Sequence, residues 1–139
     1  MPDAITVPAH AFVPAVRAFL DAPDRFAVAA TANPDGAPRQ AVLWYLVSDD
    51  GLHINSREGR LWPAALRRDP RVALTIADRY DYVVVYGRAE VVAGGQEALD
   101  EIRAMARRYG EDERQFDGQQ RVSFLVRPDR VVVHGEIGA

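Results

Sequence analysis

The chain has 139 residues, and its 17 basic residues against 20 acidic ones give a formal net charge of −3. This length predicts a single domain, spanning residues 1–139, that can bury a core without disulfide staples. The acidic balance argues against a general nucleic-acid surface. The absence of cysteine excludes thiolate metal sites and a cysteine nucleophile.

Targeting and membrane signals are not visible in the sequence. Residues 1–4 lack the basic start and apolar run of a signal peptide. No apolar run reaches the ~18 residues that a membrane span requires. The sequence therefore predicts a soluble, cytoplasmic protein with no membrane partner.

The first half of the chain reads as a short helix followed by an antiparallel meander. A helix is predicted over residues 13–21, because Pro14 suits its first turn. Its apolar face carries Val16, Phe19 and Leu20. The turns that follow are too short for parallel crossovers, so the strands between them are antiparallel. The predicted strands of this half are 25–32, 37–47 and 52–55.

The second half alternates helices with longer strands. A helix over residues 60–69 is favoured by its alanines and ends before Pro70, because the residue before a proline avoids the helical conformation. A second, amphipathic helix over 96–109 stops at Gly110. Gly87, in the middle of the longest strand, predicts a bulge or a close backbone approach. The predicted strands of this half are 71–77, 82–92, 121–126 and 130–137.

The pattern as a whole indicates the fold class. No internal repeat, linker or low-complexity tract divides the chain. Many short strands at regular spacing in one small domain are typical of a closed or split barrel. The sequence therefore predicts a mainly β fold, with six or seven antiparallel strands and two or three flanking helices.

Few side chains point to catalytic chemistry. The three histidines, His10, His53 and His134, are not at metal-ligand spacing with one another or with a carboxylate, so no metal site is predicted. No G-x-S-x-G motif or glycine-rich phosphate loop occurs. Hydrolytic chemistry has no visible nucleophile, and the catalytic residues stay unassigned.

The segment 54–72 holds five arginines between two apolar strands. Asn55 and Ser56 at the strand end offer side-chain hydrogen bonds, and Arg57 and Arg60 follow. The helix beyond them points its free N–H groups back at this turn. Together these groups predict an anion pocket that fits a phosphate monoester or diester; the alternative is a solvated, charged connection. The arginines predicted to lie past the pocket, paired with Asp69 or solvated, are Arg67, Arg68 and Arg71.

The strand predicted at 37–47 presents large planar groups near its end. Alternation places Gln40, Val42 and Trp44 on one side of this strand and Tyr45 on the other. Core packing or a subunit interface accounts for such aromatic residues. The alternative is a wall for a flat ligand that lies beside the phosphate pocket.

The sequence contains, in this order, FAVAATANPDGAPRQAVLWYLV, INSREGRLWPAALRRDPRVALTI and YVVVYGRAEVV. Their most telling pieces are PDGAPR, LRRDPRV and YGRAEVV. In order and spacing these pieces resemble the pyridoxamine 5'-phosphate oxidase-like FMN-binding split-barrel superfamily, and most closely its small bacterial branch that uses the deazaflavin F420. The resemblance covers roughly residues 12 to 137.

The resemblance implies a six-stranded antiparallel split β-barrel and an obligate homodimer with two cofactor sites at the interface. It also implies that the cofactor phosphate lies at the end of the third strand and the start of the next helix, and the ring along the second strand. The phosphate site so implied and the anion pocket derived from the residues are the same segment. The implied cofactor-binding residues are Gln40, Val42, Trp44, Asn55, Ser56, Arg57, Arg60 and Trp62.

The chain departs from the family pattern at the start of the helix. Many relatives carry a lysine near Trp62 and often an asparagine near Ala65, and this chain has neither. Either Arg57 and Arg60 supply the missing charge, or the pocket has lost affinity for the usual cofactor. Trp62 itself would either stack on a ring or block the groove.

The leading hypothesis from the resemblance is an oxidoreductase that passes hydride between F420, or alternatively FMN, and a flat organic substrate. The cofactor would carry the chemistry, which accounts for the absence of a visible dyad. Tyr80, Tyr82 or Tyr86 of a second subunit would line the substrate side. One alternative is a non-catalytic protein that binds, stores or senses a flavin or F420. Another is pyridoxamine 5'-phosphate oxidase activity, against which stands the lack of an arginine-rich segment after Arg130.

Overall fold

The computed structural model describes residues 11–137, so the predictions for His10 and for residues 1–4 lie outside the described residues. The strands of this part of the chain are β1 (Ala27–Ala32), β2 (Pro38–Leu43), β3 (Leu46–Ser48), β4 (Gly51–Arg57), β5 (Arg71–Asp78), β6 (Asp81–Gly94) and β7 (Arg121–His134). The helices are α1 (Pro14–Asp21), α2 (Leu61–Arg68) and α3 (Gly95–Arg108), and a 3-10 turn covers Glu113–Phe116. Between residues 11 and 137, no helix combines the length and the apolar character needed to cross a membrane.

The seven strands form one antiparallel sheet in the order β2-β1-β5-β6-β7-β4-β3. The predicted mainly β split barrel with flanking helices is confirmed, and its described part has three α-helices. The sheet has seven strands rather than the six implied by the resemblance.

The predicted strand 37–47 was wrong as a continuous element, because the chain leaves the sheet at Tyr45. β2 pairs with β1, whereas β3, which starts at Leu46, pairs with β4. Tyr45 is fully buried, and its hydroxyl donates to the carbonyl oxygen of Leu20 at 2.7 Å. This burial raises the pKa of the Tyr45 phenol. The tyrosine therefore divides one alternating segment into two strands.

The strands predicted at 121–126 and 130–137 are a single strand, β7, which runs beside β6. The register between β6 and β7 shifts at Tyr86/Gly87. A Cβ added to Gly87 would lie 2.2 Å from the carbonyl oxygen of Arg127. Both features predicted for Gly87, an irregular register and a close backbone approach, are confirmed.

Two apolar clusters hold the elements together. Alternate residues of the strands pack with the buried faces of α1 and α2 into the main core, and a smaller cluster lies under α3. The two clusters fix β4, α2, α3 and β7 around one cavity. The largest buried side chains of the main core are Tyr45, Phe124, Leu20, Leu52, Ile54, Leu74 and Ile76. The buried residues of the smaller cluster are Ile102, Met105, Ala106 and Phe116.

Candidate functional site

A cavity of about 230 Å³ opens where β4 ends and α2 begins. Seven of the eight residues implied by the resemblance line it. The eighth, Gln40, is exposed on β2 opposite Ala30 and is not part of the lining. The predicted residues that line the cavity are Val42, Trp44, Asn55, Ser56, Arg57, Arg60 and Trp62. The lining residues that sequence reasoning missed are Leu43, Ile102, Phe116 and Arg121.

The start of α2 adds backbone donors to the cavity. Arg60 is the N-cap residue in an extended conformation, and its side chain makes no capping hydrogen bond. Apart from Pro63, which has no N–H, the residues of the first helical turn carry N–H groups without an intrahelical acceptor, and the helix dipole makes this end positive. Because the capping residue is itself a cation, an anion is the species that this helix start favours.

The arginines beyond the cavity have carboxylate or carbonyl partners. Arg67 makes a bidentate ion pair with Glu58, with distances of 2.7 and 3.0 Å. Arg71 pairs with Asp69 at 2.7 Å, and this contact lowers the pKa of the Asp69 carboxyl to about 2. Arg68 donates to a backbone carbonyl oxygen at 2.9 Å. All three side chains lie outside the cavity, as predicted. Arg71 pairs with Asp69, also as predicted, whereas Arg67 and Arg68 have other partners.

The arginines at the cavity have no such partners. The side chains of Arg57 and Arg60 are exposed and form no ion pair or hydrogen bond with other residues of the 11–137 range. The β4–β7 register places Arg57 directly opposite Arg121. Like charges in directly opposite positions destabilise a sheet, and neither arginine forms an ion pair with a carboxylate within residues 11–137.

Arg121, the first residue of β7, is the most important residue that the sequence did not reveal. It is 8% exposed, its Nη1 donates to Gln119 Oε1 at 2.9 Å, and its guanidinium lies 5.1 Å from the ring centre of Phe116. Burial, followed by the charges of Arg60 and Arg57, lowers the pKa of the Arg121 guanidinium to about 10. The group therefore remains charged at neutral pH, without a carboxylate partner in the described part of the chain.

The two tryptophans take different roles in the cavity wall. Trp44 stacks on Tyr109 at 5.1 Å with an interplanar angle of 9°, and its ring meets Phe116 edge-on at 6.0 Å. Trp62 is 7% exposed and packs against Phe124 at 5.8 Å. Trp62 thus belongs mainly to the core, while Trp44 forms a fixed planar wall beside the arginines.

The tyrosines considered for the substrate side lie away from this cavity. Tyr80 is 86% exposed at the turn between β5 and β6. Tyr82 stacks on His134 at 4.7 Å. Tyr86 is 40% exposed and carries the guanidinium of Arg130 at 4.6 Å from its ring centre. In one copy of the chain none of the three lines the cavity, so a role for them needs a second subunit.

The two described histidines lie in different surroundings. His53 Nε2 lies 2.9 Å from Ser48 Oγ, and its Nδ1 lies 3.5 Å from Glu101 Oε2. His134 Nδ1 lies 2.8 Å from the carbonyl oxygen of Tyr80. Within residues 11–137, no group of three or more His, Asp or Glu side chains is arranged to hold a metal ion.

Sequence comparison identifies a family for nearly the whole chain. The family model described as pyridoxamine 5'-phosphate oxidase matches residues 12–135. No curated protein matches the chain significantly.

Solved structures share the split-barrel fold of this chain. An F420 reductase is 23% identical, with a TM-score of 0.71 over 82% of this chain and 94% of that chain. A conserved hypothetical protein from Mycobacterium tuberculosis is 25% identical, with a TM-score of 0.74 over 94% of this chain and 89% of that chain. HutZ, the heme storage protein from Vibrio cholerae, is 18% identical, with a TM-score of 0.70 over 88% of this chain and 94% of that chain.

Proposed function

Because the chain belongs to the pyridoxamine 5'-phosphate oxidase family, we propose that it is a cofactor-dependent oxidoreductase. Its cofactor is F420, with FMN as the alternative, and its substrate is a flat organic molecule that stacks on the cofactor ring. One observation supports this proposal best. Three guanidinium groups line one cavity, and none of them has a carboxylate partner within residues 11–137.

The residues of the cavity fit a cofactor that joins an anionic group to a flat ring. Arg57, Arg60 and Arg121, with the N–H groups at the start of α2, would hold the phosphate. Val42 and Trp44 would support the ring, since the stack on Tyr109 and the edge contact with Phe116 keep Trp44 in place. A bound flavin or deazaflavin supplies the hydride chemistry, and these side chains bind it, orient it and exclude water.

The lysine that many relatives carry near Trp62 has a substitute in this proposal. Trp62 is committed to the core, and Arg121 offers the charge from the neighbouring strand β7. Three arginines then replace one lysine. A planar guanidinium donates two parallel hydrogen bonds to two phosphate oxygens from a rigid fork, whereas an ammonium is a compact point charge without that fixed geometry.

A second candidate is a protein that binds F420 or a flavin without catalysis, for storage or sensing. Its support is the lining of the cavity, whose only ionisable side chains in the described chain are arginines. No lining side chain therefore donates or accepts a proton near neutral pH. Turnover of reduced F420 or reduced nicotinamide across a panel of flat acceptors separates the two candidates, because the binding protein would show none.

Separate titrations of the purified protein with F420 and FMN test the proposal. We expect saturable binding of at least one of them, followed by cofactor absorbance or fluorescence. Riboflavin, which has the same ring as FMN but no phosphate, should bind more weakly than FMN. A protein that binds none of the three would contradict both candidate functions.

The Arg60→Ala substitution should weaken cofactor binding by roughly 1.5–3 kcal/mol, the scale of a charge-assisted hydrogen bond. Arg60 has no other partner within residues 11–137, so its removal should leave the fold intact. The same titration measures the loss. Arg68→Ala, at the other end of the same helix, is the matched control and should bind like the wild type. Equal affinities of the Arg60 variant and the wild type would remove Arg60 from the site.

We also propose that the protein acts as a homodimer, with the cofactor sites at the interface. Strand pairing aligns a row of four valines and one threonine across the outer face of the sheet, opposite the core. A sheet that is apolar on both faces needs cover on both, and a second copy would supply it. Tyr80, Tyr82 or Tyr86 of that copy would then line the substrate side. The aligned row is Val42, Val28, Thr75, Val84 and Val132.

The Thr75→Arg substitution should convert the proposed dimer into a monomer. Thr75 lies in the middle of this row, so in the proposed dimer a guanidinium at position 75 would be buried at the interface without a partner. Analytical ultracentrifugation measures the mass in solution, and the exposed Gln115→Arg is the control of equal charge, which should stay dimeric. A wild-type protein that sediments as a monomer at micromolar concentration would refute the dimer.

A further inference from the structure

Asn55 lines the cavity, but the protein itself uses its amide. Nδ2 donates to the carbonyl oxygen of Ala98 at 2.9 Å, to Ser123 Oγ at 3.0 Å and to Glu101 Oε1 at 3.2 Å. Oδ1 accepts a hydrogen bond from Arg121 Nε at 2.9 Å. Two amide hydrogens already serve three acceptors, and the residue is 7% exposed. Asn55 therefore has little hydrogen-bonding capacity left for a ligand.

We propose that Asn55 is a positioning residue that acts on the bound anion through Arg121, and that Glu101 is the remote counter-ion of Arg121. This inference rests on the anion-binding role proposed for the cavity. Asn55 holds Nε and Gln119 holds Nη1 of the guanidinium. Nη2 has no hydrogen-bond partner among residues 11–137. The held guanidinium thus keeps the N–H groups of Nη2 available for an anion.

The amide between Glu101 and Arg121 explains how a buried cation stays available. A carboxylate in direct contact with Arg121 would occupy the N–H groups of Nη2 that an anion needs. Through Asn55 the carboxylate instead polarises the amide, which makes Oδ1 a stronger acceptor for the guanidinium. The other oxygen of Glu101 lies 3.5 Å from His53 Nδ1. The chain of contacts therefore lowers the cost of burying Arg121 without blocking it.

Ligands with and without a phosphate test the role of Asn55. In Asn55→Ala, FMN affinity should fall about tenfold, because Arg121 loses its orientation. Riboflavin affinity should stay within about twofold. The double variant Asn55→Ala/Arg121→Met should bind FMN less than about twofold more weakly than Arg121→Met alone, because the residue through which Asn55 acts is already gone. A purely structural role would weaken both ligands alike and would add to the loss in Arg121→Met; either result overturns the inference.

A second variant, Glu101→Gln, should change FMN affinity in the opposite direction, and it tests the inference even if Asn55→Ala does not fold. Glu101→Gln keeps an acceptor for the Asn55 amide but removes the negative charge, so FMN affinity should rise about threefold. Glu113→Gln, which removes an exposed carboxylate that pairs with Arg107, is the matched control and should leave affinity unchanged. Weaker or unchanged FMN binding in Glu101→Gln would overturn the counter-ion role.

A failure of the proposed function can be distinguished from a failure of the inference about Asn55 and Glu101. If the wild type binds neither FMN nor F420, the proposed function fails, and inorganic pyrophosphate in a calorimeter takes the place of FMN. The same fall in Asn55→Ala and rise in Glu101→Gln would then still support the inference. A wild type that also ignores pyrophosphate would overturn it.

Discussion

Replacing Arg121 with methionine should lower the affinity for a phosphate-bearing cofactor by about 2–5 kcal/mol, the cost of removing one partner of a buried charged contact. This is a larger loss than we expect for the exposed Arg60. Arg121 is 8% exposed, so little water competes for its hydrogen bonds with the anion. Titration with FMN measures the loss, and riboflavin should bind to the variant and the wild type alike.

The stability of the Arg121→Met protein is the control for this prediction. Methionine removes a buried cation that faces Arg57 across the β4–β7 ladder, but it also leaves Asn55 Oδ1 and Gln119 Oε1 without their donor. We therefore expect a loss of stability of about 1–3 kcal/mol, and urea unfolding must show that the variant is folded before FMN affinities are compared. Arg103→Met removes an arginine of α3 that pairs with Asp117 at 2.7 Å, and it should leave FMN affinity within about twofold. Wild-type FMN affinity in Arg121→Met would show that this guanidinium does not hold the phosphate.

The half of the cavity that is continuous in sequence could be predicted from the sequence. The residues from Asn55 to Trp62 are neighbours in the chain, and a strand end followed by a helix start brings their groups together by local geometry alone. Arg121 reaches the same cavity only through the pairing of β4 with β7. That register joins segments far apart in the chain, and no local pattern specifies it. An arginine at the first position of the predicted strand 121–126, followed by mostly apolar residues, was the available signal.

The role of Asn55 shows a similar limit. The sequence placed it beside the arginines, where the structure also has it. Its four hydrogen-bonding partners come from β7 and α3, and the positions of those elements depend on the packing of the second cluster. A polar residue at a predicted site can therefore be located from the sequence while its partners remain unknown.

The strand pattern predicted the sheet better than it predicted strand boundaries. Alternation does not show that Tyr45 leaves the ladder to reach the carbonyl oxygen of Leu20. The break predicted between residues 126 and 130 falls at Pro128, which lacks an N–H group for a ladder. In the structure it lies next to the register shift opposite Gly87, where an irregular ladder tolerates proline. Both errors came from tertiary contacts that a local pattern does not contain.

Replacing Gly87 with alanine should destabilise the protein by about 3–5 kcal/mol, in the range that marks a severe structural conflict. The added Cβ would lie 2.2 Å from the carbonyl oxygen of Arg127 and 3.2 Å from a methyl carbon of Val126. The carbonyl belongs to β7, so a change of rotamer cannot relieve the contact. β6 and β7 are 14 residues long each, and their separation would disturb the centre of the sheet. Urea unfolding measures the loss.

Gly94→Ala, at the end of the same strand, is the matched control for this prediction. Nothing lies within 4 Å of a Cβ placed there, so the substitution should change stability by no more than about 1 kcal/mol. The difference between the two variants isolates the backbone contact from the general effect of replacing a glycine in β6. If both variants unfold at the same urea concentration, the backbone of β7 must shift to accommodate the added methyl group at little cost. The close approach would then not account for glycine at position 87.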